Sequence, residues 1–252
     1  MTRRPTSQGP VAPPDGAIEC WQVDLDRPDW CVDRLEAVLA ADERERAARF
    51  VFGRDRRRFV VARACLRALL ARACGLPARD IRFHYGPHGK PALDLPGAED
   101  ATHFNVSHSG DLALIGLTRD APLGIDVEMV RPLPDLLALA TRYFSPGEAS
   151  AIREASPGQR ELTFFLCWTR KEAFVKATGD GLALRLDRYR VACRPGEPAR
   201  ILDIDGSSAA AAEWTVYDLA PRPGYVGAVV MRGAPRRVSL NRFELDADEM
   251  QE

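Results

Sequence analysis

Nowhere in these 252 residues is there the uninterrupted apolar run of ~18 residues that a bilayer crossing requires. The opening MTRRPTSQGPVAPPDG also lacks an apolar stretch behind its basic residues, so no secretory leader is expected and the cytoplasm is the predicted location. The six cysteines, Cys20, Cys31, Cys65, Cys74, Cys167 and Cys193, contain no CxxC pair and are widely spread, which argues against a disulfide scaffold and for reduced structural thiols. Neither charge dominates: 35 Lys and Arg face 36 Asp and Glu, a net charge of -1, which gives no general attraction to nucleic acid or membrane. Any anionic ligand must be held locally. What is present is apolar mass, 46% of residues, enough to bury one large core or two packed together.

Charge is uneven along the chain. Arg44, Arg46, Arg49, Arg54, Arg56, Arg57 and Arg58 fall in one short stretch, with Arg63 and Arg67 beyond it; an anion-facing surface and a solvated helix face both account for them. Residues 1–16, rich in Pro, Gly, Ser and Arg, are expected to be disordered. Strands are predicted over 18–25, 81–85, 102–107 and 112–117, a helix over 29–39 with Leu35, Val38 and Leu39 on one face, and a stronger helix over 55–74 ended by Gly75 and Pro77. After Pro122 the order resembles itself: a strand over 124–129, helices over 133–143, 146–154 and 160–178, then strands over 189–193, 214–219 and 226–230, with 200–204 a further candidate. Two α+β halves are therefore expected, 17–122 and 123–235, followed by an irregular tail over 236–252. A cleft between two packed halves is the natural place for a ligand.

Four short segments carry the chemistry. In Gly124-Ile125-Asp126-Val127-Glu128 the acids alternate with apolar residues on a predicted strand, so Asp126 and Glu128 share one face. Two like charges there repel unless a cation lies between them, and oxygen ligands without His or Cys suit Mg²⁺ or Mn²⁺ over zinc. An exposed acidic pair on an edge strand is the plainer explanation of this segment alone. On the helix over 160–178, Trp168, Glu172 and Lys176 are spaced i, i+4 and i+8 along one side, where Glu172 could add a third carboxylate and Lys176 neutralise a phosphate; a surface Glu–Lys pair is the plainer alternative. Phe104-Asn105-Val106-Ser107-His108-Ser109-Gly110 ends a strand in a turn whose hydroxyls, imidazole and backbone suit a phosphate. A Ser–His hydrolase is disfavoured, because neighbouring strand residues face opposite ways and Ser107 has no G-x-S-x-G elbow. Gly89-Lys90-Pro91 is a turn presenting one lysine.

Together, and in this order, GKP, FNVSHSG, GIDVE and WTRKEAFVKATGDGL resemble the Sfp-type 4'-phosphopantetheinyl transferases over residues 44–230. The resemblance implies a pseudo-twofold pair of α+β halves within a monomer, coenzyme A in the cleft, and Mg²⁺ bridging its pyrophosphate to Asp126, Glu128 and Glu172. It further implies that Lys90, Ser107 and His108 hold the adenosine 3'-phosphate, that Arg46 assists on the nucleotide side, and that Lys176 meets the pyrophosphate. Glu43 and Phe59 stand where relatives place a basic residue and a small hydroxyl. The stretch Arg142-Tyr143-Phe144-Ser145-Pro146-Gly147-Glu148 resembles a family segment whose acid lies near the metal, which adds Glu148 to the candidates.

The activity implied is attack by a serine hydroxyl of an apo acyl or peptidyl carrier protein, of polyketide or nonribosomal peptide synthesis, on the β-phosphate of coenzyme A, releasing 3',5'-adenosine bisphosphate. Glu172 or Glu148, directly or through water, would take the hydroxyl proton, and a metal-bound carboxylate is the poorer base of the two because the cation depresses its pKa. Three acids and a lysine could equally position water in a pyrophosphohydrolase, and a non-catalytic coenzyme A-binding module is the remaining alternative.

Overall fold

The computed structural model describes residues 13–94, 102–179, 181 and 184–244. Residues 1–12 of the segment expected to be disordered, and 245–252 of the expected tail, lie outside the described residues. The first half runs β1 (Ala17–Asp24), α1 (Asp29–Glu36), α2 (Ala41–Ala48), α3 (Gly53–Cys74), β2 (Phe83–Tyr85), β3 (Pro91–Leu93), β4 (His103–Ser109) and β5 (Leu112–Thr118). Then follow β6 (Leu123–Met129), α4 (Leu136–Tyr143), α5 (Pro146–Glu154), α6 (Arg160–Thr178), β7 (Tyr189–Val191), β8 (Ile201–Ile204), α7 (Ser208–Ala211), β9 (Trp214–Leu219), β10 (Tyr225–Arg232) and β11 (Arg237–Arg242).

Two sheets organise these elements, one in the order β11-β1-β5-β4 and one in the order β6-β10-β9. Between them lies an apolar layer to which Ile18, Cys20, Leu112 and Leu114 contribute from one sheet and Ile125, Val127, Val229 and Met231 from the other. On its outer face the first sheet packs Val23, Ala113, Ile115 and Leu117 against α1 and α3. The second sheet packs Val216, Ala228 and Val230 against Phe164, Phe174 and Val175 of α6 and its neighbours. The result is mixed helix and sheet in layers, helices outside and sheets within. In β1, β5, β6 and β10, period-2 alternation puts one side of the strand in the central layer and the other toward the helices.

Three differences from the sequence reading have physical causes. The helix expected over 29–39 stops at Glu36, and a separate α2 follows. Its sequence ADERERAA has no apolar stripe and buries only Glu43 and Ala47, so periodicity is silent there. Strand β3, only three residues long and so without a readable alternation, was not expected; it pairs with β2 in a hairpin around Gly86–Lys90, where Gly89 takes a positive φ of 76°. The tail expected to be irregular from 236 onward instead forms β11, which pairs in parallel with β1 from Ala17–Arg237 to Gln22–Arg242. With only Val238 and Leu240 as apolar residues, β11 is too short an alternation to stand out.

Candidate active site

Residues 163 to 177 of α6 are all buried except Trp168, Glu172 and Lys176. A helix this enclosed must satisfy its polar groups internally. Arg170 does so through Asp218 (2.9 and 2.6 Å), and Lys171 through Glu148, Leu186 and Tyr189. The three exceptions form the i, i+4, i+8 stripe read from the sequence and line the open side of the helix. Trp168 is held by stacking on Phe164, 5.9 Å between centroids, and α6 ends at Gly179 in the left-handed conformation, φ 80°.

Strand β6 lies directly against this helix. A Cβ on Gly124 would sit 2.0 Å from the Ala173 carbonyl oxygen and 2.4 Å from the Ala177 nitrogen, so only glycine lets the strand approach so closely. Ile125 and Val127 point into the layer between the sheets. Asp126 pairs across the strand with Ala228, whose side chain belongs to the helix-covered face, and Glu128 lies two residues on. Both acids therefore share the face that meets α6, as alternation predicted.

Lys176 donates to Asp126 Oδ1 at 2.7 Å and to the Ile125 carbonyl at 3.2 Å. Asp126 is buried, and its other oxygen, Oδ2, has no hydrogen-bond partner among the described residues. Burial pushes the Glu172 carboxyl above the usual range, Asp126 and Glu128 push it further, and Lys176 opposes them. Glu128 is likewise raised by burial and then by Asp126, against lowering by Ser109 and Arg131. Three carboxylates thus feel one another across a single cleft with one ammonium among them. Among the described residues no three His, Cys, Asp or Glu side chains stand close enough to ligate one ion as they are. The chemistry of the donors nevertheless fits a hard divalent cation: all are oxygens, one is buried without a partner, and their mutual repulsion is what a cation would relieve.

From the first half, β4 reaches across to β6. Asn105, Ser107 and Ser109 accept hydrogen bonds from the backbone N–H groups of Ile125 (2.9 Å), Val127 (3.4 Å) and Met129 (3.1 Å). The Ser107 hydroxyl donates to Asp126 Oδ1 and the Ser109 hydroxyl to Glu128 Oε2, both at 2.6 Å. The FNVSHS segment is therefore a polar seam between the two sheets as well as a turn. His108, on the opposite side of β4, has its imidazole pKa pushed down by its surroundings and by Lys176. Lys90 donates to the carbonyls of Leu123 and Lys176, tying the β2–β3 hairpin to the start of β6 and the end of α6, and burial lowers its pKa. Arg46 lies on the exposed side of α2 with its guanidinium 5.3 Å from the Phe59 ring centre, close enough for its charge to depress His108.

Glu148 is placed otherwise than the sequence reading expected. It is buried, accepts from the Ser145 N–H (2.9 Å) and hydroxyl (2.7 Å) and the Val191 N–H (2.8 Å), and forms an ion pair with Lys171 at 2.9 Å. Its oxygens are committed to capping α5 and binding α6, not to the cleft. The pattern Ser145-Pro146-Gly147-Glu148 is a capping box legible in the sequence, and it was the signal for this role. Glu43 is also structural, buried and bound by the Ala40 N–H, Arg63 and Arg67.

Glu172 lines two cavities. One, of about 280 Å³, is walled by Gly89, Lys90, Pro91, Asn105 and Lys176; the other, of about 550 Å³, by Arg142, Tyr143, Trp168, Leu184 and Arg185. A third, of about 460 Å³, lies behind the hairpin against His84, His103 and Phe104; it shares Lys90 but none of the acids.

Residues 27–118 match the N-terminal region of the 4'-phosphopantetheinyl transferases and residues 122–230 match the 4'-phosphopantetheinyl transferase superfamily. The chain is 38% identical over 216 residues to the 4'-phosphopantetheinyl transferase HetI of Nostoc sp., covering 86% of this chain and 88% of the relative. It belongs to the 4'-phosphopantetheinyl transferase family. The Bacillus subtilis transferase Sfp is 34% identical over 160 residues, 63% of this chain and 68% of Sfp. The human L-aminoadipate-semialdehyde dehydrogenase-phosphopantetheinyl transferase is 31% identical over 179 residues, 66% of this chain and 58% of the human protein. The chain is accordingly an Sfp-type phosphopantetheinyl transferase, and modification of carrier proteins follows from that membership. Among the described residues, no helix is long and apolar enough to cross a membrane.

Proposed function

We propose that this transferase moves the phosphopantetheine arm of coenzyme A onto a serine of an apo acyl or peptidyl carrier protein of polyketide or nonribosomal peptide synthesis, with Mg²⁺ or Mn²⁺ held by Asp126, Glu128 and Glu172. The enzyme acts as a cytoplasmic monomer whose two α+β halves are related by a pseudo-twofold. The observation that carries this reading is the buried Oδ2 of Asp126, without a partner among the described residues, on a carboxylate whose Oδ1 is held by Lys176 of the open stripe of α6. When bound, the cation neutralises negative charge on the pyrophosphate.

The remaining chemistry belongs to the side chains. Lys90, which lines the smaller cavity, orients the nucleotide end of coenzyme A there, with His108 as a hydrogen-bond donor and Arg46 as a nearby charge. Ser107 contributes by fixing Asp126. Lys176, already on Asp126, is placed to stabilise the departing 3',5'-adenosine bisphosphate. The pantetheine arm and the incoming serine lie on the side of Trp168 and Tyr143, where Glu172 stands between the two cavities. Of the two acids considered, Glu172 lines both cavities and is placed to take the proton through a water, since Glu148 is enclosed. The serine oxygen forms its bond to the β-phosphorus as the bond to the bridging oxygen breaks, and the proton leaves through Glu172.

Intact mass spectrometry of an apo carrier protein incubated with enzyme, coenzyme A and Mg²⁺ tests the proposal. One phosphopantetheine should be gained, and the gain should vanish with EDTA or with Asp126→Ala. Cleavage of coenzyme A without any gain on the carrier would establish a hydrolase instead.

A further inference from the structure

In the seam between β4 and β6, Ser109 stands toward Glu128 as Ser107 stands toward Asp126. A serine hydroxyl has a single proton, and that of Ser109, with its oxygen accepting from the Met129 N–H, is directed to Glu128 Oε2. Glu128 has a competing partner: the guanidinium of exposed Arg131, 3.5 Å away on the solvent side. Asp126, two residues back, repels Glu128 as well. Without the hydroxyl, repulsion and the arginine together would carry the carboxylate away from the cleft. Asn105 provides a control within the same seam, because it accepts from the Ile125 N–H in the same manner and bonds to no acid among the described residues.

We propose that Ser109 is a positioning residue: anchored by the Met129 amide, its hydroxyl holds the Glu128 carboxylate in the cleft for a divalent cation. The proposal rests on the metal reading given above. It predicts that the last serine of FNVSHS controls the affinity for metal and not only the joint between the sheets.

The test is titration of the full-length protein with Mn²⁺ alone, the free ion being read by electron paramagnetic resonance, alongside thermal melts. Ser109→Ala should raise the Mn²⁺ dissociation constant about tenfold, the size expected for loss of a group that orients a ligand, while Ser109→Thr, which keeps the hydroxyl, stays within roughly threefold of wild type. Asn105→Ala should melt lower, as Ser109→Ala does, and yet bind Mn²⁺ almost as wild type. Equal loss of Mn²⁺ affinity in Ser109→Ala and Asn105→Ala would show a purely structural seam and overturn the proposal. So would unchanged affinity in Ser109→Ala when Glu128→Gln binds weakly. If Glu128→Gln bound Mn²⁺ as tightly as wild type, the metal reading would fall and the proposal with it.

Discussion

Lys171 and Lys176 stand five residues apart on α6, and each meets a carboxylate brought by another element. Around Lys171 everything is closed. The lysine and Glu148 are 0% and 3% exposed, the ammonium has three acceptors, and both oxygens of the acid are bonded. Around Lys176 the arrangement is left open: the lysine is 27% exposed, Asp126 keeps one oxygen without a partner, and Glu172 stands beside them with its pKa pushed up. A buried pair with every valence filled fastens a helix in place. A pair left incomplete at the edge of a cleft is free to respond to a ligand. One heptad-length stretch of sequence, from Arg170 to Lys176, encodes both, because two sides of one helix face the interior and the opening, and five residues carry the chain from one side to the other.

The contrast is broken most forcefully from the closed side. Lys171→Met leaves the Glu148 carboxylate buried without its cation and should cost about 3–5 kcal/mol of unfolding free energy, measured by denaturant titration. A variant of wild-type stability would mean that the enclosed pair holds nothing.

From the open side the expected effect is smaller and of opposite sign. The folded-state pKa of Glu172 lies above its unfolded value, so between the two values the native state binds the extra proton and stability falls as pH rises through that window, above about 4.5. Glu172→Gln removes this loss. The unliganded variant should melt higher than wild type at pH 7.5, by on the order of 1–2 °C, and the difference should close as pH falls toward 4. A variant that melts lower at pH 7.5 would place Glu172 among the fastenings.

Much of this was legible in the sequence because it depends on local periodicity. Alternation in GIDVE placed Asp126 and Glu128 together, and helical spacing placed Trp168, Glu172 and Lys176 on one stripe, as found. What escaped were relations that periodicity does not encode. The bonds from Ser107 to Asp126 and from Ser109 to Glu128 join residues 19 positions apart on different sheets. Strand β11 was hidden because its partner β1 lies at the other end of the chain. Glu148 was read from a family resemblance alone, and its capping box with Ser145, present in the same residues, went unread. Glu43 shows the same lesson, since an acid where a base was expected proved to be bound by two arginines.

The most direct test of the division between the two pairs is the rate of carrier-protein modification, per folded molecule, for Glu148→Gln and Glu172→Gln measured side by side. Glu172→Gln should lose roughly 100-fold or more in rate, the size of a general-base contribution, while Glu148→Gln, once its folded fraction is accounted for, should stay within about tenfold of wild type. A Glu172→Gln enzyme at full rate beside an inactive, folded Glu148→Gln would contradict the account, assigning the chemistry to the enclosed pair.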